Sequence, residues 1–258
     1  MGKSLKDIFA ELRSCKRVGV FPFIPVGYPD LKATGELLPA LERAGASAIE
    51  VGIPFSDPIA DGPVIQAAFT AALSRGLKLK DVLKTVREAR SSVSIPLVSM
   101  VSYSIVFRYG AERYFADAKA AGFDALILPD LPPPEAEAIC QKTRAAGLDT
   151  ILLIAPTTSA ERRREIARLC SGFIYYLSVT GITGERQKLP EDLAEQLRQL
   201  KQMTDVPICV GFGISRREHV GQLGGLADGA IVGTAIVRHL KEQGVAGVES
   251  YVRELVGN

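Results

Sequence analysis

Short apolar runs rich in valine and isoleucine alternate with longer amphipathic stretches along the whole chain. Continuous apolar runs of this length are typical of strands buried on both faces, as in parallel sheets. The predicted strands are 18–24, 47–52, 96–101, 124–129, 150–155, 173–178, 207–211 and 229–233. The predicted helices are 4–14, 31–44, 63–74 with 79–91, 110–121, 134–146, 159–169, 191–203, 215–222 and 235–255.

This alternation gives eight strand–helix units in 258 residues. Each unit has about 32 residues, the size of a βαβ repeat. An eightfold count favours closure into a barrel over an open doubly wound sheet, and ~250 residues is a usual length for such a barrel. No linker or shift in composition divides the chain. We therefore predict an α/β fold: a single (β/α)8 TIM barrel over 1–258 with an extra N-terminal helix. Its site should lie at the C-terminal ends of the strands.

Composition narrows the class of protein. Apolar residues make up 47% of the chain, which excludes disorder. With 31 basic and 29 acidic residues the net charge is +2, so we expect no nucleic-acid or membrane partner. No apolar run approaches the ~20 residues of a membrane span. The four cysteines show no C-x-x-C spacing, which favours a reducing compartment and a cytoplasmic location.

Several kinds of catalytic chemistry lack the residues that they need. The two histidines, His219 and His239, fall inside helical segments and are expected to pack there, so no metal site is predicted. No predicted strand carries a lysine for a Schiff base. The sequence has no G-x-S-x-G elbow, Walker loop or Rossmann fingerprint. Chemistry must rest on carboxylates, hydroxyls and backbone donors.

The second strand supplies the first candidate site. Strand alternation points Glu50 into the barrel between two small residues, Ala48 and Gly52. An ionised carboxylate is costly there, so the pKa of Glu50 should rise toward the range useful for a general acid or base. Asp61 follows in a loop rich in proline and aspartate that can fold over the barrel mouth. The alternatives are a structural carboxylate at Glu50 and a turn or N-cap residue at Asp61, before Pro63.

The loops after strands seven and eight form the second candidate site. They read VGFGIS from Val210 and DGAIVGTA from Asp228, and each opens a helix. Glycines in such loops let backbone N–H groups approach an anion, and the helix dipole favours it. Phosphate sites of α/β barrels are frequently built from these two loops. The alternative is that the glycines serve tight turns.

The third candidate is the end of strand six. Tyr175 and Tyr176 precede a segment rich in glycine and threonine, 179–190, which suits a lid that closes over a ligand. One tyrosine should belong to the core and the other should face the site. An ordinary long loop is the alternative to the lid.

At these motifs the sequence resembles the tryptophan synthase α chain family, over essentially its whole length. The most specific motif is PFSDP-x-ADGP, from Pro54 to Pro63. Further matches are FIPVGYPD from Phe23, PDLP from Pro129, APTT from Ala155, the 181–184 segment and both glycine loops. The resemblance implies reversible retro-aldol cleavage of indole-3-glycerol phosphate to indole and glyceraldehyde 3-phosphate. It also implies a pyridoxal-phosphate-dependent β chain that receives the indole in an α2β2 heterotetramer, with no cofactor in this chain.

The resemblance also implies residue roles by position. Glu50 matches the family's acid–base glutamate, Asp61 the aspartate that engages the indole N–H, and Tyr175 the active-site tyrosine. Asp57 and Pro58 lie in a loop that faces the partner. The implied substrate-binding residues are Gly184, Gly213, Gly233 and Thr234 at the phosphate, Phe23 and Phe212 as apolar walls, and Thr183 as the lid threonine that meets the aspartate.

One departure concerns the loop expected after strand three. Many members read Tyr-Asn-Pro there, whereas this chain has Ser102-Tyr103-Ser104-Ile105 beside the indole pocket and the partner side. Pocket shape and coupling should therefore differ more than the chemistry. Three other functions are considered: a stand-alone lyase that releases indole, an isomerase on a similar barrel, and a catalytically idle partner of the β chain. Glu50 and Asp61 argue against the last.

Overall fold

Eight parallel strands pair in chain order in the computed structural model, and β8 returns to β1 to close a barrel. The structure describes residues 2–58, 61–178, 192–211 and 213–257. The strands are β1 Gly19–Pro25, β2 Ile49–Gly52, β3 Leu97–Met100, β4 Ala125–Ile127, β5 Asp149–Ile154, β6 Ile174–Leu177, β7 Ile208–Gly211 and β8 Gly229–Val232. Each lies within a predicted run or differs from it by one residue, and the predicted barrel is confirmed.

Helices follow the strands around the outside of the barrel. They are α1 Leu5–Ser14, α2 Leu31–Arg43, α3 Pro63–Ser74, α4 Leu79–Arg90, α5 Tyr103–Tyr109, α6 Ala111–Ala121, α7 Ala136–Ala145, α8 Ala160–Leu169, α9 Leu193–Met203, α10 Arg217–Gln222 and α11 Thr234–Val256. Local chemistry sets several ends: the Ser159 hydroxyl accepts from the Arg162 N–H at the start of α8, and Gly122 caps α6 in the left-handed conformation. In the described part of the chain, no helix has the length and apolar character to cross a membrane.

Helix α1 closes the N-terminal end of the barrel. The Ser4 hydroxyl accepts from the Asp7 N–H at 3.2 Å, and the Asp7 carboxylate accepts from the Ser4 N–H at 3.0 Å, which fixes the start of the helix. Phe9 packs on Phe21 and Phe173 of the barrel interior, with ring centroids 5.7 and 5.9 Å away. This plug leaves the C-terminal end of the barrel as the open one.

The prediction of a loop at 102–105 was wrong, because the chain forms helix α5 directly after β3. Its sequence, rich in β-branched and aromatic residues, has a low intrinsic preference for helix. The helix start is held instead from the next strand–helix unit: the Asp130 carboxylate accepts from the Tyr103 N–H and from the Ser102 hydroxyl, both at 2.6 Å. Gly110, at a φ of +91°, separates α5 from α6. A tertiary contact therefore determines this helix.

Candidate active site

The C-terminal ends of the strands surround one pocket, as the barrel fold predicted. Sequence-predicted residues from five separate segments line it: Phe23, Asp57, Pro58, Asp61, Tyr175, Gly213, Gly233 and Thr234. Three further predicted residues, Thr183, Gly184 and Phe212, lie outside the described residues, as does the 179–190 lid. The structure thus brings together predicted groups that are up to 211 residues apart in sequence, from Phe23 to Thr234.

Glu50 points into the barrel, as strand alternation predicted. Its side chain is fully buried, and its neighbours Ile49 and Val51 belong to the outer core between the strands and the helices. Neither carboxyl oxygen of Glu50 has a hydrogen-bond partner among the described residues. Burial without a partner raises the pKa of Glu50 well above its ordinary value, since the charged form is poorly solvated. Glu50 is not among the described residues that line the pocket.

Asp61 sits on the pocket wall in the loop before α3. Its backbone N–H donates to the Pro58 carbonyl at 3.0 Å, and the Gln66 side chain donates to the Asp61 carbonyl at 2.8 Å. These bonds tie the loop to the first turns of α3. Partial burial raises the pKa of Asp61 to about 6, so the carboxylate is mostly ionised at neutral pH.

The two tyrosines of β6 face opposite sides, as predicted. Tyr176 is fully buried in the outer core, and its hydroxyl donates to the Gln196 side chain on α9. Tyr175 belongs to the inner cluster and reaches the pocket. Burial raises the pKa of Tyr175 well above its ordinary value, and the charges of Glu50 and Asp61 add to that rise. Tyr175 therefore remains a neutral hydroxyl that lies within the electrostatic reach of both carboxyl groups.

Glycines make room for the aromatic side chains of the pocket. A Cβ on Gly211 would lie 2.5 Å from Cε1 of Tyr175, and a Cβ on Gly52 would lie 2.5 Å from Cε2 of Phe23. Both glycines end strands that flank these rings. Close approach, rather than a turn, explains glycine at these two positions.

The two glycine loops lie on the pocket wall. Gly213 adopts a φ of +89°, a conformation that side-chain-bearing residues rarely take, so this position requires glycine. Gly233 directly precedes α11, which starts at Thr234 with its free backbone N–H groups and positive dipole end. This arrangement suits an anion held by backbone donors.

Sequence reasoning missed the apolar side of the pocket. Its walls are completed by a set of apolar side chains from several elements: Ile53, Ile65, Phe69, Met100, Leu153, Leu177 and Ile231. The ring of Phe69 stands edge-on to Phe23, with centroids 6.3 Å apart. Inward alternation along the strands was the available signal for four of these residues, Met100, Leu153, Leu177 and Ile231. An apolar chamber of this kind suits a flat aromatic group.

Two polar residues of the pocket were also missed as site residues. Ser102 and Asp130 line the wall, and their 2.6 Å hydrogen bond joins the segments after β3 and β4. Asp130 lies in the PDLP motif that resembles the family, but its hydrogen bond to Ser102 could not be predicted without the fold. Among the described residues, no cluster of three or more His, Cys, Asp or Glu side chains could hold a metal ion.

Comparison with known proteins identifies the family of this chain. A family model described as tryptophan synthase alpha chain matches residues 9–256. The tryptophan synthase alpha chain of Chloroflexus aggregans is 46% identical and that of Synechococcus elongatus is 46% identical; each alignment covers 98% of this chain, and 96% and 95% of those proteins.

Solved structures give the same result. Mycobacterium tuberculosis tryptophan synthase superposes with a TM-score of 0.92 at 36% identity, covering 99% of this chain and 98% of that one. A tryptophan synthase alpha-subunit mutant from Pyrococcus furiosus superposes with a TM-score of 0.86 at 37% identity, covering 93% and 98%. The chain therefore belongs to the tryptophan synthase alpha chain family and is a lyase that cleaves indole-3-glycerol phosphate.

Proposed function

We propose that Glu50 moves the protons in the cleavage of indole-3-glycerol phosphate and that Asp61 stabilises the charge that develops on the indole nitrogen. The supporting observation is a pair of carboxyl groups, both with raised pKa, that act electrostatically on one buried tyrosine of an apolar pocket. The two environments differ. Glu50, fully buried, keeps its proton at higher pH, whereas Asp61, with a pKa of about 6, ionises at neutral pH. One group is suited to donate a proton and the other to hold a negative charge.

The reaction needs an acceptor for the electrons of the breaking carbon–carbon bond. Protonation of the indole ring at C3 by Glu50 gives an iminium at the ring nitrogen. The bond from C3 to the glycerol chain then breaks, and its electron pair returns to the ring as indole. The hydroxyl on the released carbon loses its proton to Glu50 and becomes the aldehyde of glyceraldehyde 3-phosphate.

Asp61 and the pocket walls orient the indole ring. The ionised Asp61 carboxylate accepts from the ring N–H, and this bond strengthens as the nitrogen becomes positive. Phe23 and Phe69 give the ring apolar contacts. Tyr175, neutral and buried, lies within the electrostatic reach of both carboxyl groups. Fixing the substrate in one orientation accounts for a large part of a typical rate enhancement.

The phosphate of the substrate occupies the opposite side of the pocket. Backbone N–H groups at Gly213, Gly233 and Thr234 hold it, together with Gly184 as the family resemblance implies. The threonine that replaces a common serine at 234 changes little, because the contact is made by the backbone. Binding remote from the reacting bond contributes to orientation rather than to the chemistry.

The proposal includes a β chain as the partner and acceptor of indole, in an α2β2 heterotetramer. Asp57 is exposed and Pro58 half-buried beside the pocket, in a loop whose Pro58 carbonyl bonds to the Asp61 N–H at 3.0 Å. A partner seated on this loop can therefore change the position of Asp61. Pyridoxal phosphate belongs to that partner. The cysteines of this chain are free thiols in the structure, in keeping with a reducing, cytoplasmic location.

Turnover of indole-3-glycerol phosphate by the purified chain tests the assignment of Glu50. The Glu50→Gln variant should lose about 10²- to 10⁴-fold in kcat, the usual contribution of a general acid–base, while it still binds glycerol phosphate. More than about a tenth of wild-type kcat would exclude Glu50 as the proton carrier. A chain without turnover, alone or with a β chain, would instead be the idle partner.

A further inference from the structure

Both backbone polar groups of Ser215, a residue beside the first glycine loop, form hydrogen bonds with side chains. The Ser215 N–H donates to Nδ1 of His219 at 3.3 Å. The Ser215 carbonyl accepts from the Tyr251 hydroxyl at 2.8 Å. Ser215 lies two residues after Gly213, so these bonds fix the loop where its backbone turns toward the pocket.

Tyr251 lies in the last part of α11 and also contacts the first part of the same helix, which starts at the second glycine loop. Its ring stacks on the ring of His239, with centroids 4.0 Å apart and planes inclined by 17°. His239 lies on α11, five residues after Thr234. Gly244, at a φ of +67°, interrupts α11 with a kink between His239 and Tyr251. One side chain therefore contacts Ser215 of the first loop and the helix that carries the second.

We propose that Tyr251 is a positioning residue that sets the spacing of the two phosphate-binding loops. The inference rests on the proposed function, which places the phosphate between those loops. An anion bound by backbone N–H groups from two segments requires both segments at a fixed distance from each other. Tyr251 acts through the Ser215 peptide and the His239 ring, and it does not touch the substrate.

Tyr251→Phe removes the hydroxyl and leaves the stacked ring. Loss of this hydrogen bond should weaken glycerol phosphate binding, measured by titration calorimetry, by about two- to tenfold. KM for indole-3-glycerol phosphate should rise by a similar factor, with kcat within about twofold of wild type. The dephosphorylated substrate, indole-3-glycerol, should be cleaved with unchanged kcat/KM. A merely structural loss would affect both substrates alike.

Tyr109→Phe is the matched control, because it also removes one tyrosine hydroxyl bond, to Asp117 at 2.6 Å, between helices that lie after β3 rather than after β7 or β8. It should leave glycerol phosphate affinity unchanged. His239→Ala, which removes the stacked ring, should weaken glycerol phosphate binding, and His239→Phe should restore most of the affinity.

The outcomes separate the inference from the proposed function. If Gly213→Asp abolishes glycerol phosphate binding while Tyr251→Phe and His239→Ala bind it as the wild type does, the positioning role is overturned and the phosphate site stands. If Gly213→Asp leaves binding unchanged, the phosphate site fails and the inference fails with it. A Tyr251→Phe variant that loses indole-3-glycerol turnover to the same extent would also overturn the inference.

Discussion

Replacement of Glu50 by glutamine should change how the stability of the protein depends on pH. The Glu50 carboxyl is fully buried, and its oxygens have no partner among the described residues. Burial raises the pKa of the folded state well above the ordinary value of 4.5. Below 4.5 the carboxyl is protonated in both the folded and the unfolded chain, so Glu50→Gln should have little effect on the free energy of unfolding.

Above that pH the unfolded chain releases the proton and the folded chain retains it. The folded state then binds more protons, so the free energy of unfolding of the wild type falls as pH rises. The slope is about 1.36 kcal/mol per pH unit until the folded carboxyl itself ionises. The difference between the wild type and Glu50→Gln should therefore grow with pH above 4.5 until the folded carboxyl ionises. Each pH unit of this slope is a sizeable part of the ~5–15 kcal/mol that stabilises a typical domain.

Urea unfolding followed by far-ultraviolet circular dichroism measures this difference, since the chain has no tryptophan for fluorescence. The control is Glu249→Gln: hydrogen bonding to Arg43 lowers the pKa of Glu249, so its contribution is present above 4.5 and is lost only as pH falls below that value. Its difference from the wild type should be constant from about pH 5 to about pH 7. A Glu50→Gln difference that is equally constant over this range would refute the argument that burial raises the pKa of Glu50.

Three further predictions concern the site and its partner. Gly213→Asp should weaken glycerol phosphate binding by about tenfold or more, because it strains a backbone φ of +89° and adds a negative charge at the phosphate. Titration calorimetry measures this loss, and unchanged binding would mean that the anion site lies elsewhere. Asp61→Asn should lower kcat about a hundredfold. The wild-type rate should fall as pH drops through about 6, where Asp61 takes up a proton. A pH–rate profile with no change near that value would contradict the role of Asp61. The isolated chain should cleave its substrate slowly, and a β chain should raise kcat about 5- to 150-fold. Asp57→Ala or Thr183→Val should reduce this increase in kcat. Fast cleavage by the chain alone, unchanged by a β chain, would favour a stand-alone lyase.

Much of the fold and part of the candidate site could be predicted from local sequence pattern. The period of two along a strand places Glu50 inside the barrel, and it separates the roles of Tyr175 and Tyr176. Glycines after strands seven and eight mark the loops that line the pocket. These features depend on neighbours along one element, so the sequence alone determined them.

Contacts between distant segments depended on the tertiary structure. Helix α5 forms because Asp130, from the next unit, holds the Tyr103 N–H, and no local pattern contains that bond. The apolar walls join Phe69 of a helix to Met100 and Leu177 of separate strands. The bridge from Tyr251 to Ser215 spans 36 residues.

The pKa values of the carboxyl groups also depend on the tertiary structure. Alternation predicted that Glu50 points inward. Its lack of a partner among the described residues and its raised pKa arise only once eight strands and α1 exclude water from the barrel. A sequence period describes direction within an element, whereas desolvation and hydrogen-bond partners depend on the three-dimensional distance between elements. For that reason the sequence determined which residues face the site, and the closed barrel determined what those residues can do chemically.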